Sequence, residues 1–269
     1  MNSSILIVAG TDPLGGAGLY AHARVAWQRG LLPLYVPSAL VVQSSRGINS
    51  VHPIDAEITG KTLEIVLAER TPDAALLGLI ACPRAIHITA ERVRPLRSPV
   101  VIDPVLQGGT HDGLRFGDRP LLDAYLALLR SLGDRAVATP NTLELGALLD
   151  QPPATTVEEL ARQATMLTRA TGCVTFAKGG HLAQPGVDLL VTGSAVAFFP
   201  PLDAPVPDVH GTGCRLAAEI ACSLAEGHDL RDAVCSARTA FRDAILHDVH
   251  TVGPGRPQMS PRPVLRSNE

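Results

Sequence analysis

The chain carries short runs with no polar side chain, and these limit its fold more than any other feature. Ile5-Leu6-Ile7-Val8-Ala9 is the first, residues 74–80 repeat the pattern, and residues 100–105 form a strand that closes on Asp103. A strand that is apolar on both faces must be covered on both faces, which is the condition of a parallel sheet flanked by helices. The intervening segments have helical spacing: about residues 18–29, 57–69, 83–94, 120–132 and 157–171, one running from the glycine pair at 211 and 213 to about 226, and one over 230–246. Further strands are expected at 34–43, 136–139 and 174–181. Pro37 interrupts the first of these and marks an edge or a bulge. Residues 189–192 and 195–199 flank Gly193-Ser194 as a hairpin. Strands alternating with helices over most of the length predict one α/β domain over residues 1–250 with a mostly parallel central sheet, followed by an irregular Pro- and Gly-rich tail over 251–269.

Composition narrows the function. The chain has 269 residues, 46% of them apolar, and a net charge of −3. With no basic block, nucleic acid is not an expected partner. No apolar run reaches the roughly 18 residues of a membrane span, and the first residues lack the basic start of a signal peptide. Five scattered cysteines form no C-x-x-C pair, which suits reduced thiols in a cytoplasm.

Several residues at expected strand ends could carry chemistry. The loop 10–18, Gly10-Thr11-Asp12-Pro13-Leu14-Gly15-Gly16-Ala17-Gly18, links a buried strand to a helix, the place where α/β proteins hold ligands. It is neither a dinucleotide fingerprint nor a Walker A sequence. Gln43 ends a strand and either meets a ligand or is solvated. Asp103 precedes Pro104 and either orients a metal or phosphate-bound water, or serves the turn. Asn141 and Glu144 fit a helix capping box. Lys178 precedes two glycines and can pair with phosphates. Residues 107–117 form a candidate mobile loop. In His210-Gly211-Thr212-Gly213-Cys214, the glycines let an anion approach the free amides of a helix N-terminus. Cys214 lies in that positive first turn, where a thiol pKa is expected to fall.

In this order, these blocks resemble the ribokinase-like superfamily, and more narrowly the hydroxymethylpyrimidine and phosphomethylpyrimidine kinases of thiamine biosynthesis. The matching pieces are the glycine loop, Ala39-Leu40-Val41-Val42-Gln43, Asp103-Pro104-Val105, Thr139-Pro140-Asn141-Thr142-Leu143-Glu144, Lys178-Gly179-Gly180-His181 and the His210 to Cys214 stretch. The resemblance implies a ribokinase-like fold with helices on both sheet faces. It also implies an ATP- and Mg²⁺-dependent phosphotransferase acting on the hydroxymethyl group of 4-amino-5-hydroxymethyl-2-methylpyrimidine, with its monophosphate as a further expected acceptor and a homodimer as the expected assembly. Gly211, Thr212, Gly213 and Cys214 would form the anion hole, with Cys214 the base. Asn141 and Glu144 would help hold magnesium, and Lys178 and Asp103 would face the nucleotide. Gly10, Asp12, Gly16, Gly18, His22 and Gln43 would surround the heterocycle.

The chain departs from the family pattern at three places. The family reads G-I-Q-A-D-L-K after its glycine loop, where this chain has Gly18-Leu19-Tyr20-Ala21-His22-Ala23-Arg24. His22 thus replaces an acid that helps recognise the pyrimidine. Arg215 follows the cysteine in place of a small hydroxyl residue, and Asp208-Val209 replaces a polar pair. The alternatives are a pyridoxal or pyridoxine kinase, favoured by His22, and a ligand-binding protein without turnover, for which Arg215 would lock up an anion.

Overall fold

The computed structural model describes residues 3–106, 117–183, 186–204 and 208–259. All but the last residue of the expected mobile loop 107–117 falls outside them.

The sheet is built from the apolar runs. Its strands are β1 (Ser4–Thr11), β2 (Leu32–Ser44), β3 (Gly47–Pro53), β4 (Ala74–Leu77), β5 (Val100–Ile102), β6 (Ala136–Ala138), β7 (Val174–Ala177), β8 (Asp188–Thr192) and β9 (Ala195–Phe199). They lie in the order β3-β2-β1-β4-β5-β6-β7-β8-β9. The six strands from β2 to β7 are parallel, and β3, β8 and β9 close the two ends antiparallel. Along β1 the side chains alternate between two cores. Leu6 and Val8 join one with α2 (Ala56–Glu69), α3 (Pro83–Val93), α4 (Arg119–Leu132), α5 (Thr142–Leu149) and α6 (Val157–Thr171). Ile5, Ile7 and Ala9 join the other with α1 (Gly18–Gln28), α7 (Thr212–Ala225) and α8 (Leu230–His247). Burial on both faces is why the run from Ile5 to Ala9 carries no polar residue.

Four local features differ from the sequence expectation or refine it. Pro37 is not at an edge, because β2 lies between β1 and β3. Ala9 pairs with Pro37 and Gly10 with Ala39, so Ser38 is the extra residue of a bulge, and the ring's missing N–H falls where the ladder is already interrupted. Strand β3 was not expected: its sequence is polar and half-exposed, and pairing with β2 rather than burial defines it. Asn141 and Glu144 do form a capping box. In the tail, residues 251–257 carry no helix or strand, and a two-residue strand follows them. Strands β10 (Val249–His250) and β11 (Gln258–Met259) pair antiparallel, because Gln258 and Met259 are buried, Met259 within the second core.

The strand order reverses between β1 and β4, and α/β sheets hold ligands in the crevice at such a point. The loop after β4 forms one wall of that crevice and is held from below by Tyr125 on α4. Its buried hydroxyl accepts from the Ile80 amide at 3.1 Å and donates to the Gly78 carbonyl at 3.2 Å. Tyr125→Phe leaves a buried amide and a buried carbonyl without this partner, so it should destabilise the fold by about 1–3 kcal/mol. Urea unfolding measures this, and an unchanged midpoint would show that the hydroxyl contributes nothing.

Candidate active site

The glycine loop is shaped by one side chain. Asp12 is buried, and its carboxylate accepts from the amides of Leu14 at 2.9 Å, Gly16 at 3.0 Å and Ala17 at 2.9 Å. It also meets His210 Nε2 at 3.0 Å and the Gln43 side chain. Burial alone would raise this carboxyl. The bonds from His210, Gln43 and Leu14 outweigh it and bring the pKa from 3.8 to about 2. Asp12 thereby joins the loop after β1, the end of β2 and the turn before α7.

Two glycines make the junction possible. Gly18 has φ +58°, and a Cβ there would lie 2.2 Å from the Gly10 carbonyl oxygen. Gly211, the N-cap of α7, has φ +90°, and its Cβ would lie 1.9 Å from the Gly16 carbonyl oxygen. The two loops therefore touch backbone to backbone, and any side chain at 211 would part them.

Except for Gly16, every site residue expected from sequence lines one cavity at the strand ends. Gly16 sits behind the wall, against Gly211 and the Gln258 side chain. Gln43 enters the cavity from β2 and His22 from α1. His22 is 1% exposed and neither ring nitrogen has a hydrogen-bond partner. Burial lowers its pKa to about 4 against the opposing pull of Asp103, so the ring is neutral near pH 7. Tyr20, the other candidate on that helix, is 51% exposed.

The same cavity holds a compact charge cluster. Lys178 Nζ lies 2.8 Å from Asp103 Oδ1 and 4.0 Å from Glu144 Oε2. Burial opposes the ammonium charge, but Asp103 and Glu144 prevail and its pKa is raised. Burial also pushes the Glu144 carboxyl up, opposed by Lys178 and reinforced by Asp103. Asn141 Oδ1 accepts from the Leu143 and Glu144 amides, both at 2.9 Å, and Glu144 Oε2 accepts from the Asn141 amide at 2.8 Å. The capping box thus holds Glu144 against Lys178. The ammonium in turn reaches the α7 turn, since a Cβ at Gly213 would lie 3.2 Å from Nζ.

The expected fall in the Cys214 pKa is not observed. Burial pushes the thiol up to about 12, with Asp103 adding to the rise, while the Gly18 amide and Lys178 act the other way. The helix N-terminus is present, but the thiol's desolvation outweighs it. Arg215 does not reach into the anion site. Its Nε is bonded to Glu219 at 2.8 Å, one turn along α7, and its guanidinium faces Asp248.

A second cavity adjoins the first and shares Asn141, Lys178, His181, Thr212 and Gly213 with it. Leu202, Leu216 and Phe241 supply its apolar side. Sequence reasoning missed Arg256, which enters the first cavity from the tail, because a Pro- and Gly-rich stretch has no periodicity to place it. Among the described residues no helix is long and apolar enough to cross a membrane.

Comparison with known proteins gives one direction. The family model described as phosphomethylpyrimidine kinase matches residues 12–259. A hydroxymethylpyrimidine/phosphomethylpyrimidine kinase of Rhizobium meliloti is 32% identical over 259 residues, 95% of this chain and 96% of that protein. One of Escherichia coli is 32% identical, covering 93% and 95%. Among solved structures, the pyridoxal kinase from Staphylococcus aureus in complex with ADP superposes with a TM-score of 0.85 at 23% identity, covering 97% of this chain and 93% of that one. The phosphomethylpyrimidine kinase from Clostridium difficile gives 0.77 at 23%, covering 91% and 100%. At that identity these two show the shared ribokinase-like fold.

The Asp12 junction has a pH signature. A carboxyl whose folded pKa lies below its unfolded value stabilises the fold above the unfolded value and loses that contribution as pH falls through the folded one. From 3.8 to about 2 this amounts to roughly 2 kcal/mol. Asp12→Asn should therefore be less stable at pH 7 by about that much, and its deficit should shrink between pH 4 and 2. Urea titrations across this range measure it; a deficit independent of pH would contradict the assignment.

Proposed function

The chain belongs to the phosphomethylpyrimidine kinase family, and on that premise we propose that it transfers the γ-phosphoryl group of ATP to the hydroxymethyl group of 4-amino-5-hydroxymethyl-2-methylpyrimidine in thiamine biosynthesis. The observation that carries this reading is the meeting of two cavities at the turn 211–214, with the Lys178 ammonium beside Gly213. An acceptor in the first cavity and a nucleotide in the second would face each other across that turn.

Phosphoryl transfer requires charge neutralisation and alignment more than covalent help from the protein. The amides of the 211–214 turn and Lys178 would receive the transferring group. Leu202, Leu216 and Phe241 would take the nucleotide base. The carboxylates of Asp103 and Glu144 with one ammonium leave a net negative, hard-oxygen site, which suits a Mg²⁺ ion that keeps most of its waters. Asn141 would serve by fixing Glu144, because its own carbonyl oxygen is taken by two amides. When bound, the metal would neutralise charge on the phosphates. Gln43, the Gly10 backbone and His22 would hold the heterocycle. The Cys214 thiol is protonated at rest and could accept the hydroxyl proton only from its thiolate form, after giving up its own proton.

His22 favours a second reading. A carboxylate there would only accept hydrogen bonds, whereas a neutral imidazole offers a donor as well. Pyridoxal and related ring alcohols are therefore the competing acceptors. With Arg215 bound to Glu219, the reading of a protein without turnover loses its main support.

Mass spectrometry of products from a panel of pyrimidine and pyridine alcohols with Mg-ATP tests the assignment. Phosphorylated hydroxymethylpyrimidine with the highest kcat/KM is the expected result, and a pyridine alcohol in first place would transfer the assignment to the second reading. Cys214→Ala should lower turnover roughly 10²- to 10⁴-fold without changing the melting temperature. Turnover near wild type would remove Cys214 from the mechanism.

A further inference from the structure

A buried ion pair stands behind the second cavity. Lys178 follows β7, and its amide donates to the Pro140 carbonyl at 2.9 Å. The amide of the next residue, Gly179, donates to Asp188 Oδ1 at 3.0 Å. A Cβ at Gly179 would lie 1.9 Å from the Val187 carbonyl oxygen, so the chain here rests directly on the backbone leading into β8. The other Asp188 oxygen accepts from the Arg238 guanidinium of α8. Arg238 also donates to the Pro200 carbonyl, just past β9, and lies over the Phe199 ring at 5.5 Å from its centroid.

Both members of the pair are buried. Taking two charges out of water offsets much of their attraction, so apolar side chains of similar volume would hold α8 to the sheet as well. What apolar side chains cannot supply is an acceptor for the Gly179 amide. Asp188 supplies it, and the planar guanidinium, itself anchored at Pro200, fixes the carboxylate that does so. Asp188 lines the second cavity with Lys178, Gly180 and Gly213, and it does not line the first. The backbone around Lys178 is thus held at Pro140 on one side and, through Gly179, at Asp188 on the other. The Lys178 ammonium lies 2.8 Å from Asp103 and beside Gly213. A displaced Gly179 would therefore move the cation that faces the 211–214 turn.

We propose that Asp188 and Arg238 are positioning residues for the phosphoryl donor: together they hold residues 178–180 where these meet the nucleotide phosphates. Both Asp188 oxygens are bonded to protein donors, so Asp188 acts through the Gly179 amide, and Arg238 acts through Asp188. This rests on the function proposed above, in which the second cavity takes the nucleotide.

The test uses three variants. Asp188→Asn keeps the shape of the side chain but leaves either the Gly179 amide or the guanidinium without its acceptor. Arg238→Met removes the anchor, and Arg238→Lys restores a cation there. Steady-state kinetics with ATP and hydroxymethylpyrimidine as the varied substrates compare them with wild type. Asp188→Asn and Arg238→Met should raise KM for ATP roughly tenfold or more and change KM for the alcohol less than about twofold, and Arg238→Lys should recover most of the loss. Equal rises for both substrates, or a lowered melting temperature with KM for ATP unchanged, would reduce the pair to a packing element and overturn the proposal. Should Arg238→Met fail to fold, Asp188→Asn decides by the same comparison. If wild type turns over no acceptor, the functional reading fails separately. Calorimetry with Mg-ADP alone then decides on the pair: roughly tenfold weaker binding to Asp188→Asn supports it, and equal binding, or none to either protein, overturns it.

Discussion

The site depends on the buried Asp12 carboxylate. Three backbone amides of its own loop, His210 and Gln43 all converge on it. These groups come from the loop after β1, the segment before α7 and the end of β2, which lie far apart in sequence. Without a shared acceptor, each loop would hold its amides toward water and nothing would set their spacing. The carboxylate's low pKa expresses how strongly these donors favour the charged form. The glycines at 18 and 211 complete the arrangement by letting the loops close without side chains between them.

Much of this could be read in the chain itself. The all-apolar runs placed β1, β4 and β5, because strands buried on both faces leave no alternative composition, and the 3.6-residue spacing placed α6 at its observed limits. Strand β3 and the tail segment 255–259 could not be read in this way. The first is a polar hairpin partner, and the second is held by the Arg256 amide and the Gln258 side chain to loops more than 200 residues earlier in the chain, as well as to His210. The site residues were found through the order of their blocks, but their roles were less legible. Resemblance assigns Asp12 to the heterocycle, and what the sequence does not show is that its oxygens also hold the loop. Cys214 looked like a thiolate because the helix start is visible in sequence, while its burial beside Asp103 is not.

The charged wall of the cavity has a consistent logic. Asp103, Glu144 and Lys178 are buried together, and each is tolerable there only because the others are present. The capping box at the start of α5 is part of the same device: it fixes Glu144 through the Asn141 amide, so a local helix signal also positions a carboxylate of the site. The neutral His22 lines the same cavity as this cluster.

The central claim is that acceptor and nucleotide meet across the 211–214 turn. A crystal structure with Mg²⁺, a non-hydrolysable ATP analogue and hydroxymethylpyrimidine tests it most directly. The account predicts γ-phosphate oxygens within hydrogen-bond distance of the turn's amides, the ring between Gln43 and His22, and the hydroxymethyl oxygen in line with the bond to be broken. A γ-phosphate held away from that turn, or a ring bound outside the first cavity, would contradict it.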